Sequence, residues 1–255
     1  GSEMCIRDRV EQAYLFLDNQ HEEKAKEIIG RITEESSEVK VLKANLLLKD
    51  GKEAEAEAML DSIDDKDDLA NIIDVSYMYI DMGLPQKALA WLARGHERYA
   101  EEESYIAVTG DCYYAEGAFD KASFFFNKLI DKNPYSAIYW FGLARCYFEQ
   151  QMLDKAIEAC DYATVADDEF ADAYLMKGHA FFQLGNEESA MENYLLAEKY
   201  HLVSHGFINT IIGLDKASKG EWKEGYDYLE KAIAAEDNHD LTLSSLYANA
   251  ALCLH

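Results

Sequence analysis

Proline and glycine are scarce in this chain. Its 255 residues hold only 2 prolines and 14 glycines, and no Ser/Gly/Pro-rich stretch that would mark a linker. A multidomain reading therefore has no boundary to rest on. Long apolar runs are also missing: none reaches the roughly 18 residues that a bilayer-spanning helix needs, so no membrane span is expected. Positive charge is short as well. Lysine and arginine number 24 against 49 acids, a net charge of −25, which sets the surface against phosphate backbones and anionic lipid headgroups. Nucleic acid and membrane are excluded as partners on that ground, and a protein or peptide, basic in character, is admitted.

The motifs of catalysis are absent too. The chain has no GxSxG elbow, no GxGxxG after a strand and no GxxxxGK[ST] phosphate loop. Carboxylates are too abundant for a catalytic pair to be singled out, so no enzyme and no cofactor is expected. Calcium is not implied, because the spacing of an EF-hand loop does not occur. His201 and His205 stand four apart, a spacing that can share a helix face, but without HExxH, and no metal is assigned. The five cysteines (Cys5, Cys112, Cys146, Cys160, Cys253) form an odd, widely spaced set. Cys112 and Cys146 recur at equivalent helix points too far apart for a disulfide, so they read as buried thiols in a reducing, cytoplasmic setting. A removed leader stays open. Gly1-Ser2 reads as an expression scar and residues 2–9 as a foreign end, so 1–5 is set apart as non-native.

What is present is repetition. Tyr105 to Pro134 reads as two amphipathic helices joined at Ala115-Glu116-Gly117 and stopped by Asn133-Pro134. Its landmarks Gly110, Tyr113, Ala122 and Phe126 return 34 residues later as Ala144, Tyr147, Ala156 and Cys160. They return again as Gly178, Phe181, Ala190 and Tyr194. Two columns of small residues fix the register: Ala13, Ala44, Ser76, Gly110, Ala144, Gly178, Gly213 in first helices, and Ala25, Ala56, Ala88, Ala122, Ala156, Ala190, Gly225 in second helices. Helices that cross closely need small side chains there. Glycine closes the turn at Gly51, Gly83, Gly117, Gly185 and Gly220. The first helix carries a bulky residue at Phe16, Leu47, Tyr79, Tyr113, Tyr147 and Phe181, a column from which Lys216 departs.

A fixed period of 34 with this content resembles the tetratricopeptide repeat family. The resemblance implies an all-α right-handed superhelical solenoid of antiparallel helix pairs. The columns place seven repeats at 6–36, 37–68, 69–102, 103–136, 137–170, 171–205 and 206–243, with 244–255 as a C-terminal helix. That last helix, apolar nearly all round, reads as a cap, a truncated eighth repeat or a surface for a homodimer.

In the family, first helices line a concave groove that holds a partner segment. Carried onto this sequence, the groove of the third to sixth repeats includes Tyr77, Asp111, Tyr114, Phe141, Arg145, Phe148, His179 and Phe182. Aromatic rings there offer anchor surfaces with little rotamer entropy to lose. Arg145 shares a helix face with Phe141 and Phe148 and can take a partner carboxylate; equally, Asp111 can neutralise it. Phe141, Phe148 and Phe182 can instead pack between repeats. The family's carboxylate-clamp version needs lysines beside Asn45 that are missing. Acidic runs at Asp61–Asp68, Glu101–Glu103, Asp167–Glu169 and Glu236-Asp237 suit helix N-termini, or else form one acidic edge. In Phe124-Phe125-Phe126, Phe126 belongs to the core column, Phe124 or Phe125 should be partly exposed, and Trp91 and Phe125 are expected to bury against the next repeat. A non-catalytic protein-binding scaffold is the expected function; a regulatory module of a separate catalytic domain and a self-assembling array are the rivals.

Overall fold

The small and apolar residues recur at helical spacing, and glycines or polar residues punctuate them, so the chain folds into helices of nine to fifteen residues. The computed structural model describes residues 6–18, 21–33, 36–63, 68–200, 206–235, 249–250 and 253. Among these, every regular element is an α-helix. The first seven are α1 (Ile6–Asp18), α2 (Glu22–Gly30), α3 (Ser37–Lys49), α4 (Glu53–Asp61), α5 (Leu69–Asp81), α6 (Pro85–Tyr99) and α7 (Glu103–Ala115). There follow α8 (Phe119–Lys132), α9 (Ala137–Glu149), α10 (Leu153–Ala166), α11 (Ala171–Gln183), α12 (Glu187–Lys199), α13 (Gly206–Ser218) and α14 (Trp222–Ala234). The chain divides within α8 into two units, Gly1–Phe125 and Phe126–His255. His201 and His205 lie outside the described residues.

In the first unit α1 packs on α2, α3 on α4 and α5 on α6, each pair an antiparallel hairpin, and α3, α5 and α7 follow one another side by side. One core cluster joins Val10, Leu17, Ile29 and Leu42; the next joins Leu60, Ile72, Tyr79, Trp91 and Tyr105. In the second unit the hairpins are α9/α10, α11/α12 and α13/α14. Small buried residues dominate there: Ala144, Ala159, Cys160, Ala163 and Ala173 form one cluster, and Tyr194 fills the next with Ile208 and Ile212. Each fully buried leucine, isoleucine or valine contributes about 1.5–3 kcal/mol of transfer free energy. All fourteen residues of the two small columns are buried. The crowding is direct: a Cβ built on Gly178 would stand 2.5 Å from the Tyr194 ring, and one on Gly225 would stand 2.9 Å from the carbonyl oxygen of Gly213.

The turn inside each hairpin repeats one hydrogen bond. An N–H donates back to the carbonyl five residues earlier: Leu84 to Tyr79 at 2.8 Å, Ala118 to Tyr113 at 2.9 Å, Asn186 to Phe181 at 2.9 Å, Glu221 to Lys216 at 3.0 Å. This closing bond needs a left-handed residue before its donor, and Gly51, Gly83, Gly117, Gly185 and Gly220 supply φ between 68° and 81°. The fifth hairpin has no glycine there. Gln151 takes the same conformation, φ 59°, and Met152 makes the same bond to Tyr147 at 2.9 Å. An L-residue held in that region costs about 1–2 kcal/mol, so the repeat geometry overrides the local preference. Pro85 opens α6 at its first position, where no N–H is missed. Asn133 accepts from the N–H of Tyr135 at 3.2 Å just beyond the end of α8.

A second device sits beside the turn. A lysine eight residues after the bulky position lies over its ring: Lys24 over Phe16, Lys87 over Tyr79, Lys121 over Tyr113 and Lys155 over Tyr147, at 4.9–5.6 Å from the centroid. The α13/α14 hairpin replaces both residues, with Glu224 at the lysine's position. Lys216 holds the ring's place and pairs with Glu221 at 2.6 Å and Glu224 at 2.9 Å. The hydrogen bonds it donates to the two carboxylates, Glu221 first, hold its ammonium above the ordinary lysine range. The departure of Lys216 is thus a change of chemistry at an unchanged position.

Of the apolar C-terminal stretch, Asn249, Ala250 and Cys253 are described. Ala250 and Cys253 are buried beside Leu229 and Ala232 of α14, so at these two points its apolar side is covered by the chain's own last hairpin. The rest of 244–255 lies outside the described residues. No described helix is long and apolar enough to cross a membrane.

Candidate binding surfaces

The residues assigned to a partner fall into two sets, one in each unit. In the first, Tyr77 on α5 and Asp111 on α7 stand on neighbouring first helices, and the Tyr77 hydroxyl donates to Asp111 Oδ2 at 3.1 Å. Burial, then the Asp111 charge, raises the Tyr77 phenol above its ordinary range, so it remains a hydrogen-bond donor. The ring is still 38% exposed. Tyr114, one turn along α7, is half-buried and meets Phe119 edge-on at 5.5 Å.

In the second unit Phe141 and Phe148 on α9 are half-buried. Phe141 meets Phe170 edge-on at 5.2 Å, which ties it to the packing between hairpins. Arg145, between them on the same helix, is half-buried. On α11, His179 Nδ1 lies 3.0 Å from the Tyr194 hydroxyl, and the imidazole is 6.1 Å from the Phe207 ring of α13. Phe182 is 44% exposed and meets Phe207 edge-on at 6.2 Å. It lines a pocket of about 680 Å³ formed between α11, α12 and α13.

Residues of the α13 side, Phe207 and Leu214, are each 43% exposed and were not assigned from sequence. The signal for Leu214 existed: the step of 35 between Gly178 and Gly213, applied to His179, lands on it. The weak seventh copy of the aromatic column hid the continuation.

Cys5, Glu236 and Asp237 lie outside the described residues, and the remaining candidates within them resolve toward structure. Cys112, Cys146 and Cys160 are buried, and burial pushes the thiols of Cys112 and Cys160 up to about 12, far from a nucleophilic thiolate at neutral pH. Asp68 caps α5, accepting from the Asn71 N–H at 3.2 Å, and Asp167 accepts from the Glu169 N–H at 3.1 Å in the turn before α11. Glu102 stands at the cap position of α7 without a side-chain bond. Trp91 is buried in the first unit's core beside Tyr105, and Phe126 is buried. Phe125, half-buried, stacks on Tyr113 of its own hairpin at 5.5 Å, and Phe124 is 65% exposed. Among the described residues, no group of His, Cys, Asp and Glu is arranged to hold a metal ion.

Tetratricopeptide repeat family profiles match residues 113–168 and 171–200. Over those residues the chain carries tetratricopeptide repeats. Its fold is similar to that of a tetratricopeptide repeat protein from Parabacteroides merdae, with a TM-score of 0.67, 16% identity and 98% of each chain covered. A thermophilic TPR protein from Thermus thermophilus gives a TM-score of 0.54 at 18% identity, covering 72% of this chain and 98% of that one. MamA from Desulfovibrio magneticus gives 0.53 at 16% identity, covering 66% and 97%. At such identities the likeness is one of fold. No curated protein matches this chain.

Proposed function

We propose that this chain is a non-catalytic scaffold that binds segments of partner proteins along the first helices of its hairpins. The observation that carries the reading is the exposure of large rings on those helices. Tyr77 and Phe182 each leave over a third of their surface in water, although core positions on the same helices are fully covered. Rigid aromatic side chains at a surface supply contact area at low entropic cost. Tyr77, Asp111 and Tyr114 are the contacts proposed in the first unit; Phe141, Arg145, Phe148, His179 and Phe182 are those in the second. The net charge of −25 selects basic partners by steering their approach.

The test is capture of bound proteins on the immobilised chain, followed by affinity measurement with each captured partner. Arg145→Ala and Tyr114→Ala are expected to weaken binding by about 1–3 kcal/mol with melting temperature nearly unchanged. A partner that binds both variants as tightly as the parent moves the contact elsewhere. If Arg145 is instead held for structure, its removal lowers the melting temperature.

A further inference from the structure

The pocket beside Phe182 has a composition that the binding reading leaves unused. Its floor is apolar: Phe182 from α11, Met191 from α12, and Ile211 and Leu214 from α13. Its rim is acidic. Glu187, Glu188 and Glu192 of α12 all stand exposed around it, with no ion pair to any described residue. Lys219 also lines the pocket, but it is paired with Asp215, another lining residue, at 2.8 Å. That pair cancels, and three carboxylates remain over an apolar floor. Glu187 and Glu188 lie in the first turn of α12 and suit its dipole. The third, Glu192, lies beyond the first turn, so the dipole does not account for the set.

We infer that this pocket is a docking site for a basic partner segment, which inserts one aliphatic or aromatic side chain onto the Phe182–Met191–Ile211–Leu214 floor while flanking lysines or arginines meet Glu187, Glu188 and Glu192. The inference rests on the scaffold reading and narrows its partner. Charge complementarity selects the occupant: an acidic segment would meet like charge at the rim, and a neutral one would leave the carboxylates without counter-charge. A second copy of this chain is disfavoured for the same reason, since each carries −25.

The experiment pans a random peptide library, displayed on phage, against the full chain. Enriched peptides are expected to carry an apolar residue flanked closely by lysine or arginine, and synthetic copies should lose affinity steeply as salt rises. Two variants locate them. Leu214→Lys places a positive charge on the floor, and the combined Glu187→Gln, Glu188→Gln, Glu192→Gln variant removes the rim charge. Each should weaken binding by about tenfold or more. The rim variant changes exposed side chains only and stands alone if Leu214→Lys disturbs folding, which circular dichroism would show. Enriched peptides without basic residues, or basic ones that bind the rim variant as tightly as the parent, overturn the inference. Should the peptides lose affinity on Tyr77→Ala or Arg145→Ala instead, the pocket assignment falls and the scaffold reading stands. If no peptide is enriched at all, both fall.

Discussion

The α5/α6 hairpin of the first unit and the α13/α14 hairpin of the second use the same backbone with different chemistry. Both close on a left-handed glycine, Gly83 or Gly220, and on the same backward hydrogen bond. At the helix crossing, α5/α6 places Ser76 against Ala88, and the serine hydroxyl bonds back to the Ile72 carbonyl at 2.6 Å. In α13/α14 the pair is Gly213 and Gly225, and a Cβ on either would press on backbone of the opposite helix. Beside the turn, the first has a tyrosine under a lysine and the second a lysine among glutamates. The repeat therefore fixes separations, and any residue pair that fits the separation serves.

That view is most exposed at the crossings. Gly225→Leu should cost about 3 kcal/mol, the upper end of overpacking, because the obstruction is backbone and cannot rotate away. Ala156→Leu in α9/α10 should fall in the same class at about 1–3 kcal/mol. Chemical denaturation read by helix circular dichroism measures both, and an unmoved midpoint for either would show that the column does not mark a crossing. A smaller effect of opposite sign is expected at the α9/α10 turn, which lacks glycine. Gln151→Gly should stabilise by about 1 kcal/mol by relieving the left-handed strain, whereas Gly117→Gln should lose a similar amount. Next comes the hydroxyl of Tyr79, which donates to Asp61 at 2.8 Å. Tyr79→Phe removes that bond between consecutive hairpins and should cost about 0.5–1.5 kcal/mol. The smallest change tests the replacement at Lys216. Lys216→Tyr alone leaves Glu221 and Glu224 without their cation and should lower the melting temperature slightly, while adding Glu224→Lys restores the ring-under-lysine arrangement and recovers it.

The repeat was legible because its signal is local and repeated. Small residues at Ala122 and Ala156, glycine at the turn and a bulky residue three after the first small position each answer one packing constraint, and the copies check one another. Candidate contacts had no such redundancy. Phe141 and Phe182 belong to the same carried-over groove, yet Phe141 is drawn into packing against Phe170 and Phe182 is left lining a pocket. A ring's side of its helix follows from spacing; whether a neighbouring ring covers it depends on residues dozens of positions away.

The sequence by itself determined the all-α hairpin array, its register and its turns, because helical period and glycine placement are properties of nearby residues. Only the tertiary structure decided that Gln151 would take a glycine's conformation, that Lys216 would replace a ring by pairing with Glu221 and Glu224, and that Phe182, Met191 and Leu214 would meet under an acidic rim. Those outcomes come from side chains on different helices competing for the same space, and that competition is settled only when the hairpins are packed.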